Sequence, residues 1–357
     1  MGPERSPKWL VLTGTLAASC APVATPKPVA PPPPPVAVEQ AGLRNEKVRE
    51  ELQLAPWDLA FSAVRGSGAA SETVTARNLT EVPVTVRALP VLGDEAALFQ
   101  LNAPPKLPAV VPPKGQLSVQ VTFAPPARAA LGVHRALLRF QTGASPEDGP
   151  ATDLAGLATL GRAGESEPSL TEVVEALGYS VDVRLPARGP PPGAPAAPVG
   201  DDVATALFTR ATPTLVALNP VARFSTDGPR PFGHYTLRAA TPSLATLATL
   251  AAGQHQTLNP ELQPGGNASF DPGDAVFGLW VRAGKRTIYT EDRRNAGGDK
   301  HAARVFPLHA RGGAPIPNAY LVAFRDAGDD AFQDYVFVLW NVKPAGEEAA
   351  RKTATGR

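Results

Sequence analysis

Four aspartates lie close together near the end of the sequence, where grouped carboxylates can do chemistry. Asp326, Asp329, Asp330 and Asp334 fall within nine residues, directly before the apolar run YVFVLW. Three roles are open for such a group: catalytic carboxylates, oxygen ligands for a hard cation, or the solvated side of a tight turn. Each role needs a different surrounding structure, so the elements that carry the aspartates decide among them.

Calcium is the cation that suits these aspartates, because it takes about 6 to 8 oxygen ligands from carboxylates and backbone carbonyls. Their spacing is not that of an EF-hand loop. A second polar stretch, YTEDRRNAGGDKH, holds Asp292 and Asp299, which could complete a shared site if both stretches lie at one end of a domain. The four aspartates, with these two, are therefore a candidate calcium site. The alternative is a solvated turn whose charges block a sheet edge.

A carbohydrate-active hydrolase is the alternative enzymatic hypothesis. Glycosidases use two carboxyl groups, about 5.5 Å apart when retaining and about 6.5 to 9.5 Å apart when inverting. Sugar sites usually need aromatic platforms as well, and only Trp280 and Trp340 are tryptophans in the second half of the chain. Glycan binding through these two rings is a further candidate role. No G-x-S-x-G, H-E-x-x-H or phosphate-binding glycine motif occurs, so the sequence predicts a noncatalytic protein.

The composition indicates short strands and turns. The 357 residues include 41 prolines and 32 glycines, and only 6% are aromatic, which favours β modules over long helices. With 34 basic and 33 acidic residues the net charge is +1, and this excludes the strong positive field of a nucleic-acid-binding protein. The single cysteine excludes an internal disulfide and a cysteine-based zinc site.

The first residues have the composition of a signal peptide. Arg5 and Lys8 precede the apolar run WLVLTGTLAA, residues 9–18. This run has the length of a signal-peptide core and is too short to span a bilayer. Residues 1–19 are therefore predicted to be a signal peptide.

The end of this segment, LAASC, resembles the bacterial lipobox, in which a cysteine becomes acylated. The resemblance implies that Cys20 is the lipidation site and that the membrane is a partner through the attached lipid. Ala21 lacks the aspartate that retains many bacterial lipoproteins at the inner membrane, so the same resemblance implies an outer-membrane lipoprotein of the cell envelope. Ordinary secretion and a chance cysteine are the alternatives.

Residues 20–55 are predicted to be a linker. Residues 21–38, APVATPKPVAPPPPPVAV, favour extended polyproline II at about 3.1 Å per residue, so they suit a stalk. Residues 39–53 are charged and contain good helix formers, which predicts a short exposed helix.

Residues 56–161 show short alternating segments separated by Gly, Pro or Asn, a pattern typical of an antiparallel β-sandwich. In QLSVQVTF, alternation places Leu117, Val119, Val121 and Phe123 on the core face. The residues between them, Gln116, Ser118, Gln120 and Thr122, are then expected on the solvent face. We expect this domain to fold independently.

The stretches TVTARNLTEVPVTVRAL, VVPPKGQLSVQVTFAPPA and LGVHRALLRFQT resemble the hydin and abnormal-spindle (ASH) type of immunoglobulin-like module. Asn78, Phe123, Pro125, Gly132 and Gly156 match that pattern. The resemblance implies an immunoglobulin-like sandwich, and members of the family are mostly noncatalytic scaffolding or adhesion modules. Within this domain, a histidine at position 134 is expected to be a partly exposed structural residue, because no carboxylate lies beside it in sequence.

Residues 166–345 are predicted to form a second β-sandwich, followed by a disordered tail over residues 346–357. Ser169 and Glu172 form a capping box for a short helix, and Gly178 suits its C-terminal end. AVFGLWVRAGKRTIYTED predicts a hairpin, and NAYLVAFRD should pair with YVFVLWNV across the acidic loop. This closing pattern is similar to that of an uncharacterised domain of secreted and surface bacterial proteins, a resemblance that implies a β-sandwich and a calcium site.

Together these features predict a mainly β chain with two β-sandwich domains after a lipoprotein signal peptide and a proline-rich stalk. The expected function is noncatalytic, in envelope architecture or in binding a protein or glycan at the cell surface. No nucleic-acid partner and no cofactor other than calcium are expected.

Overall fold

The computed structural model describes residues 51–161, 166–183, 200–203, 205–236, 243–295, 300–326 and 332–345. The predictions for the signal peptide, Cys20, the stalk and the C-terminal tail lie outside these residues, as do Asp299, Asp329 and Asp330. Within the described residues the chain is mainly β, as predicted. No helix in this part of the chain is long and apolar enough to cross a membrane.

The first sandwich contains ten strands in two four-stranded sheets and one two-stranded sheet. The strands are β1 (Leu52–Ala55), β2 (Asp58–Val64), β3 (Ala70–Asn78), β4 (Val84–Val86), β5 (Val91–Leu92), β6 (Phe99–Asn102), β7 (Ala109–Val111), β8 (Gln116–Phe123), β9 (Gly132–Arg139) and β10 (Ala151–Thr159). One sheet has the order β1-β3-β8-β6, the facing sheet has the order β2-β10-β9-β5, and β4 pairs with β7.

One helix, α1 (Leu170–Ala176), leads to the second sandwich. Its strands are β11 (Phe208–Arg210), β12 (Val216–Arg223), β13 (Arg230–Thr236), β14 (Ser243–Leu250), β15 (Thr257–Leu258), β16 (Ser269–Phe270), β17 (Phe277–Ala283), β18 (Arg286–Tyr289), β19 (Ala303–His309), β20 (Pro315–Phe324), β21 (Tyr335–Trp340) and β22 (Val342–Pro344). One sheet has the order β14-β13-β17-β11-β22 with β18 on β17. The other has the order β15-β12-β21-β20-β19 with β16 on β12.

The core of the first sandwich follows the predicted alternation along β8. Val119, Val121 and Phe123 are buried and Leu117 is half-buried. The Phe123 ring packs at 5.1 Å from that of Phe99, centroid to centroid. At Gly156 on β10, a Cβ atom would lie 2.3 Å from the Phe123 ring, so any larger residue would displace the centre of this core.

Asn78 organises the turn that follows β3. Its side chain is fully buried, and Nδ2 donates to the backbone oxygens of Val82 at 2.7 Å and Val111 at 3.1 Å. Oδ1 accepts the backbone N–H of Thr80 at 2.9 Å. One amide side chain thus ties three segments of the sandwich together, which accounts for the asparagine at this position.

The segment before the first sandwich differs from the prediction. Of the helix expected over residues 39–53, only residues 51–53 are described, and Leu52 and Gln53 belong to the strand β1, which pairs with β3 in the register Leu52↔Asn78. Leu52 and Leu54 are buried and Gln53 is exposed. This alternation buries Leu52 and Leu54 against the core. The free energy gained by that burial exceeds the small differences in helix propensity among ordinary residues. The sandwich therefore begins before residue 56.

His134 also differs from the prediction, because it is only 5% exposed. Its Nδ1 lies 2.5 Å from Oε1 of Glu95, a carboxylate 39 residues earlier in the chain. The other carboxylate oxygen of Glu95 accepts the backbone N–H of Arg135 at 2.7 Å. The histidine has a structural role as expected, but its buried ring pairs with a partly exposed carboxylate from a distant segment.

The helix signals are confirmed. The Ser169 side chain accepts the backbone N–H of Glu172, the Glu172 side chain accepts the N–H of Ser169, and Gly178 follows with φ +78°. Both predicted hairpins are confirmed as well: β17 pairs with β18 around Gly284 and Lys285, and β20 pairs with β21. The second pairing places the acidic loop between two central strands.

Helix α1 packs in a hydrophobic cluster that includes residues of both sandwiches. Val173 is fully buried and packs in one cluster with Leu157 of β10 and Phe306 of β19. Strand β2 also contacts β15 directly. At the rim of this junction, Arg311 Nη1 lies 2.9 Å from Oδ2 of Asp153. The two sandwiches are therefore joined by this cluster, which we call the junction cluster and which is separate from the core of the first sandwich.

Candidate functional site

The described part of the acidic loop is held by hydrogen bonds within the protein. Asp334 is buried, and its Oδ2 accepts the backbone N–H of Asp326 at 2.7 Å. The Tyr335 hydroxyl donates to Oδ2 of Asp326 at 3.1 Å. Both carboxylates therefore close the loop between β20 and β21 as well as carrying charge.

Two buried arginines lie near the described part of this loop. The Nε–H of Arg230 donates to the Tyr335 hydroxyl at 3.1 Å, so a chain of hydrogen bonds runs from Arg230 through Tyr335 to Asp326. Arg223 is fully buried, and its guanidinium donates to Ser225 and to the backbone oxygens of Thr226, Gly228 and Ala251. We call Arg223, Arg230, Asp326, Asp334 and Tyr335 the acidic-loop network.

Burial dominates the protonation behaviour of the network. Burial, and after it the charge of Asp326, raise the pKa of the Tyr335 hydroxyl to about 12, and Ser225 and Arg230 oppose this rise. Burial also lowers the pKa of Arg223, which the nearby Tyr335 and Asp326 oppose. Tyr335 is therefore a neutral hydrogen-bond donor near neutral pH. It connects a cation to a carboxylate without changing its own charge.

The second polar stretch lies at the same end of the sandwich. The backbone N–H of Arg325 donates to the oxygen of Ala302 at 3.1 Å, and the ring of His301 lies 6.1 Å from that of Phe332. His301 Nδ1 is 3.2 Å from Oδ2 of Asp292. The structure thus brings together the two stretches that the sequence analysis singled out.

A buried ion pair lies next to these stretches. Arg304 Nη1 is 3.0 Å from Oδ2 of Asp202, and both side chains are less than a tenth exposed. Burial raises the pKa of Asp202, an effect that the charge of Arg304 opposes. The guanidinium groups of Arg304 and Arg325 lie 5.0 Å and 4.9 Å from the centre of the Phe332 ring. The sequence contains no signal for this arrangement, because its members come from four separate segments.

Among the residues that the structure describes, no three His, Cys, Asp or Glu side chains are close enough together to hold a metal ion. Of the six aspartates of the candidate calcium site, Asp292, Asp326 and Asp334 are described. Asp334 accepts a backbone N–H and Asp326 accepts a phenol hydroxyl, although a carboxylate oxygen can accept such a bond and still bind a cation. The calcium site stays a prediction.

The two candidate glycan-binding tryptophans are buried. Trp280 is 2% exposed and Trp340 is 5% exposed. The indole N–H of Trp280 donates to the backbone oxygen of His234 at 3.0 Å. The prediction of aromatic platforms is wrong, because Trp280 packs in a small cluster with Leu207 and Tyr235, Trp340 packs in the junction cluster, and neither ring is exposed.

Glu291 is a buried residue whose role the sequence analysis did not predict. Its carboxylate accepts hydrogen bonds from the Tyr235 hydroxyl at 2.8 Å and from Arg293 at 2.7 Å, and Arg294 also donates to it. The Arg294 guanidinium lies 5.0 Å from the centre of the Tyr235 ring. The signal in the sequence was the run EDRR, in which two carboxylates precede two arginines on a tight 3₁₀ turn.

The outer face of the sheet β1-β3-β8-β6 is a second candidate site. Its twelve outward positions are Gln53, Ala55, Ser71, Thr73, Thr75, Arg77, Gln100, Asn102, Gln116, Ser118, Gln120 and Thr122. We call them the polar face. All of them are exposed or half-buried. The sequence analysis placed the four β8 residues on the solvent face, and the register adds the residues of β1, β3 and β6 beside them.

Hydrogen bonds link the side chains of the polar face across the strands. The hydroxyl oxygens of Ser71 and Thr122 are 2.6 Å apart, and those of Thr75 and Ser118 are 2.9 Å apart. Asn102 Nδ2 donates to Gln120 Oε1 at 3.1 Å and to Thr122 Oγ1 at 2.5 Å. These bonds hold several side chains of the face in fixed positions.

Comparisons with known proteins give similarity in fold only. No protein-family model matches the sequence, and a search of curated proteins finds no match. The ASH/PapD-like domain 7 of human CEP192 is 12% identical, with a TM-score of 0.23, over 38% of this chain and 97% of that chain. WR4, an MSP family member of C. elegans, is 8% identical with a TM-score of 0.20, over 31% of this chain and 99% of that chain.

A family 123 glycoside hydrolase from Clostridium perfringens is also similar, at 9% identity and a TM-score of 0.22, over 31% of this chain and 24% of that chain. Identities and TM-scores this low carry no information on activity. The strand pairing itself shows a mainly β chain built from sandwiches. Immunoglobulin-like domains are among the structures that this chain is similar to.

Proposed function

We propose that this chain is a noncatalytic lipoprotein of the bacterial cell envelope. In this proposal Cys20 carries the lipid, the proline-rich stalk spaces the folded part from the outer membrane, and the two sandwiches are presented together to a protein or glycan. The observation that supports it is the junction cluster, in which residues of both sandwiches pack around α1. Two sandwiches held together in this way suit a scaffold or binding role.

The junction cluster limits the freedom between the two sandwiches. Val173 and Val174 of α1 are buried in the same cluster as Leu157 of the first sandwich and Val336 of the second. Packed apolar interiors resist changes in volume and shape, so a hinge at this junction would have to open the cluster. A binding surface on either sandwich is thereby held at a fixed orientation to the other.

The acidic-loop network supports a structural role for its carboxylates. A general acid or a glycosidase nucleophile must reach substrate, whereas Asp334 is 7% exposed and accepts a backbone N–H of its own loop. Asp326 accepts the hydroxyl of Tyr335, which a buried arginine holds in turn. These bonds favour loop closure over acid–base chemistry as the function of the two described carboxylates.

The experiment that tests the anchor compares the full chain with Cys20→Ala and with the control Thr25→Ala. Mass spectrometry of detergent-extracted protein should find acyl chains on an N-terminal Cys20. Cys20→Ala should release the protein from membranes, since one residue holds every acyl chain and each buried methylene contributes about 0.8 kcal/mol. Thr25→Ala should fractionate as the unaltered protein does. Soluble protein with an intact Met1 would contradict the proposal.

A second assay separates the noncatalytic proposal from the hydrolase alternative. Full-length protein incubated with cell-wall polysaccharide should release no new reducing ends. If reducing ends appear and Asp326→Asn abolishes them, the chain is a hydrolase and the noncatalytic proposal is wrong.

A further inference from the structure

The polar face is nearly free of charge. Of its twelve positions, ten carry Ser, Thr, Asn or Gln, one carries Ala55 and one carries Arg77. Charged residues make up 19% of the whole sequence, and about 25–35% is the share recommended for the surface of a soluble designed protein. A sheet face with a single charged side chain is therefore depleted of charge.

This composition disfavours several classes of macromolecular partner. A polyanion needs several cations, and the face offers only Arg77. Membrane insertion needs apolar side chains, and the face offers only Ala55. The centre of a protein–protein interface is typically enriched in aromatic residues, Met and Arg, and no aromatic residue or Met lies on this face. A ligand rich in neutral hydroxyl groups fits it, since hydroxyl and amide side chains both donate and accept hydrogen bonds.

The cross-strand hydrogen bonds reduce the conformational entropy that the polar face would lose when it binds a ligand. Binding must fix the rotamers of the side chains that make contact. Asn102, Gln120 and Thr122 are already joined to each other, as are Thr75 and Ser118. Serine and threonine also have short side chains with little rotamer entropy to lose. The face is thus preorganised in a way that a surface of lysines and glutamates is not.

The geometry of the sheet makes the face a regular array. Neighbouring strands lie about 4.8 Å apart, and residues on one face of a strand recur about every 6.8 Å. Four strands with up to four outward residues each therefore spread donors and acceptors over about 14 Å by about 20 Å. A polymer with repeated hydroxyl groups can contact several rows of such an array at once.

We propose that the polar face binds a neutral polysaccharide. This inference rests on the proposed noncatalytic function and deepens it by naming the class of partner and its surface. It places glycan contact on the sheet β1-β3-β8-β6, away from the buried Trp280 and Trp340. The row formed by Thr73, Gln120 and Asn102 crosses three strands near the middle of the face and is its central contact.

The test is co-sedimentation of the detergent-solubilised full chain with insoluble cellulose and, in parallel, with chitin. We expect the protein to sediment with at least one of these neutral polysaccharides, and equally at about 50 mM and about 500 mM NaCl, since salt screens charges and leaves neutral hydrogen bonds in place. The triple variant Thr73→Ala, Asn102→Ala, Gln120→Ala should bind at least tenfold more weakly, which corresponds to about 1.4 kcal/mol.

Two further variants complete the test. The matched control Ser243→Ala, Thr246→Ala, Gln263→Ala removes three exposed polar side chains from the second sandwich and should bind as the unaltered chain does. The single variant Ser118→Lys adds a charge near the centre of the face without removing the row. It should also weaken binding, and it keeps the test decisive if the triple variant fails to fold.

The inference is overturned if the unaltered chain stays in the supernatant with both polysaccharides, or if both face variants sediment as it does. Binding that disappears at the higher salt concentration would equally overturn it, because it would show attraction to charge. The proposed function is judged separately by acylation of Cys20 and by the absence of new reducing ends. A lipidated chain that does not sediment therefore overturns this inference alone.

Discussion

Tyr335 shows how one side chain can connect charges that are far apart in sequence. Arg230 precedes it by 105 residues and Asp326 precedes it by nine, yet its hydroxyl accepts from the first and donates to the second. A buried arginine that lost this acceptor would keep an unpaired donor. The hydroxyl therefore contributes more to stability than an exposed phenol would.

We expect Tyr335→Phe to lower the free energy of unfolding by about 1–3 kcal/mol, the cost of leaving a buried polar group without its partner. Urea denaturation of the full chain measures it. The control is Tyr320→Phe on the adjacent strand, whose half-buried hydroxyl should contribute less. Equal losses for both variants would contradict the role assigned to the Tyr335 hydroxyl.

Tyr335 also predicts a pH dependence. Its pKa is about 12 in the folded protein, against 10.0 for an ordinary tyrosine. Between these values the unfolded chain has lost the proton and the folded chain still holds it, so stability falls as pH rises from about 10 to about 12. Tyr335→Phe should make this fall shallower, as followed by urea denaturation across that range. An unchanged slope would show that Tyr335 does not contribute to it.

Calcium binding is testable at the same loop. If the aspartates gather around calcium, the full chain should melt at a higher temperature in millimolar calcium than in chelator. Binding to the folded state contributes about 2.7 kcal/mol at a hundredfold excess over Kd. Asp334→Asn should reduce that response, and it should also lower the melting temperature in chelator, because Asp334 accepts the N–H of Asp326.

The control for the calcium experiment is Asp94→Asn, an exposed aspartate of the first sandwich, which should leave the response intact. Identical melting curves with calcium and with chelator, at matched ionic strength, would contradict the calcium site. They would support the alternative, a solvated turn whose charges block a sheet edge.

At the scale of elements, β1 shows how burial selects between helix and strand. Residues 39–53 contain good helix formers, but Leu52 and Leu54 alternate with the exposed Gln53 and pair with β3. Intrinsic helix propensities differ by less than about 1 kcal/mol per residue for ordinary residues. Burying a leucine contributes about 1.5–3 kcal/mol. The free energy of burial is therefore larger than the difference in helix propensity, and it favours the strand.

We therefore expect Leu54→Ala to destabilise the protein by about 2–5 kcal/mol, the usual cost of removing a buried leucine. Gln53→Ala, one residue away and exposed, should change the stability by less than about 0.5 kcal/mol. Thermal and urea unfolding measure both. Similar small effects of the two variants would instead fit the exposed helix that the sequence pattern favoured.

At the scale of the whole molecule, the two sandwiches meet in the junction cluster. The sequence analysis expects residues 56–161 to fold alone, yet this range omits β1 and α1, and Leu157 packs in one cluster with residues of the second sandwich. A fragment that ended at residue 161 would expose that surface to water. The junction cluster thus leads us to expect that the two sandwiches stabilise each other.

We expect the full chain to unfold in one calorimetric transition, and Val173→Asn to split it into two. Asparagine at this fully buried position would place an amide in an apolar cluster, which costs about 1–3 kcal/mol or more. Thr171→Asn, on the exposed side of the same helix, should preserve the single transition. Two separate transitions in the unaltered chain would show that the sandwiches unfold independently.

The sequence alone determined the elements whose cause is local. Alternating residues placed Phe123 in the core, the Ser169 capping box began α1, and a glycine turn closed the β17–β18 hairpin. Such signals lie within a few residues of each other, so they act before distant segments meet. The pairing of β20 with β21 was predictable for the same reason, since only one loop separates them.

Only the tertiary structure determines which residues that are distant in sequence contact each other. His134 meets Glu95 across 39 residues, Tyr335 meets Arg230 across 105, and Trp280 is buried in a small cluster with Leu207 and Tyr235. The polar face likewise exists only because β8 lies between β3 and β6. A contact between distant segments depends on strand order and register, which no short stretch of sequence specifies. The physical reason is that burial is a property of the whole packed chain.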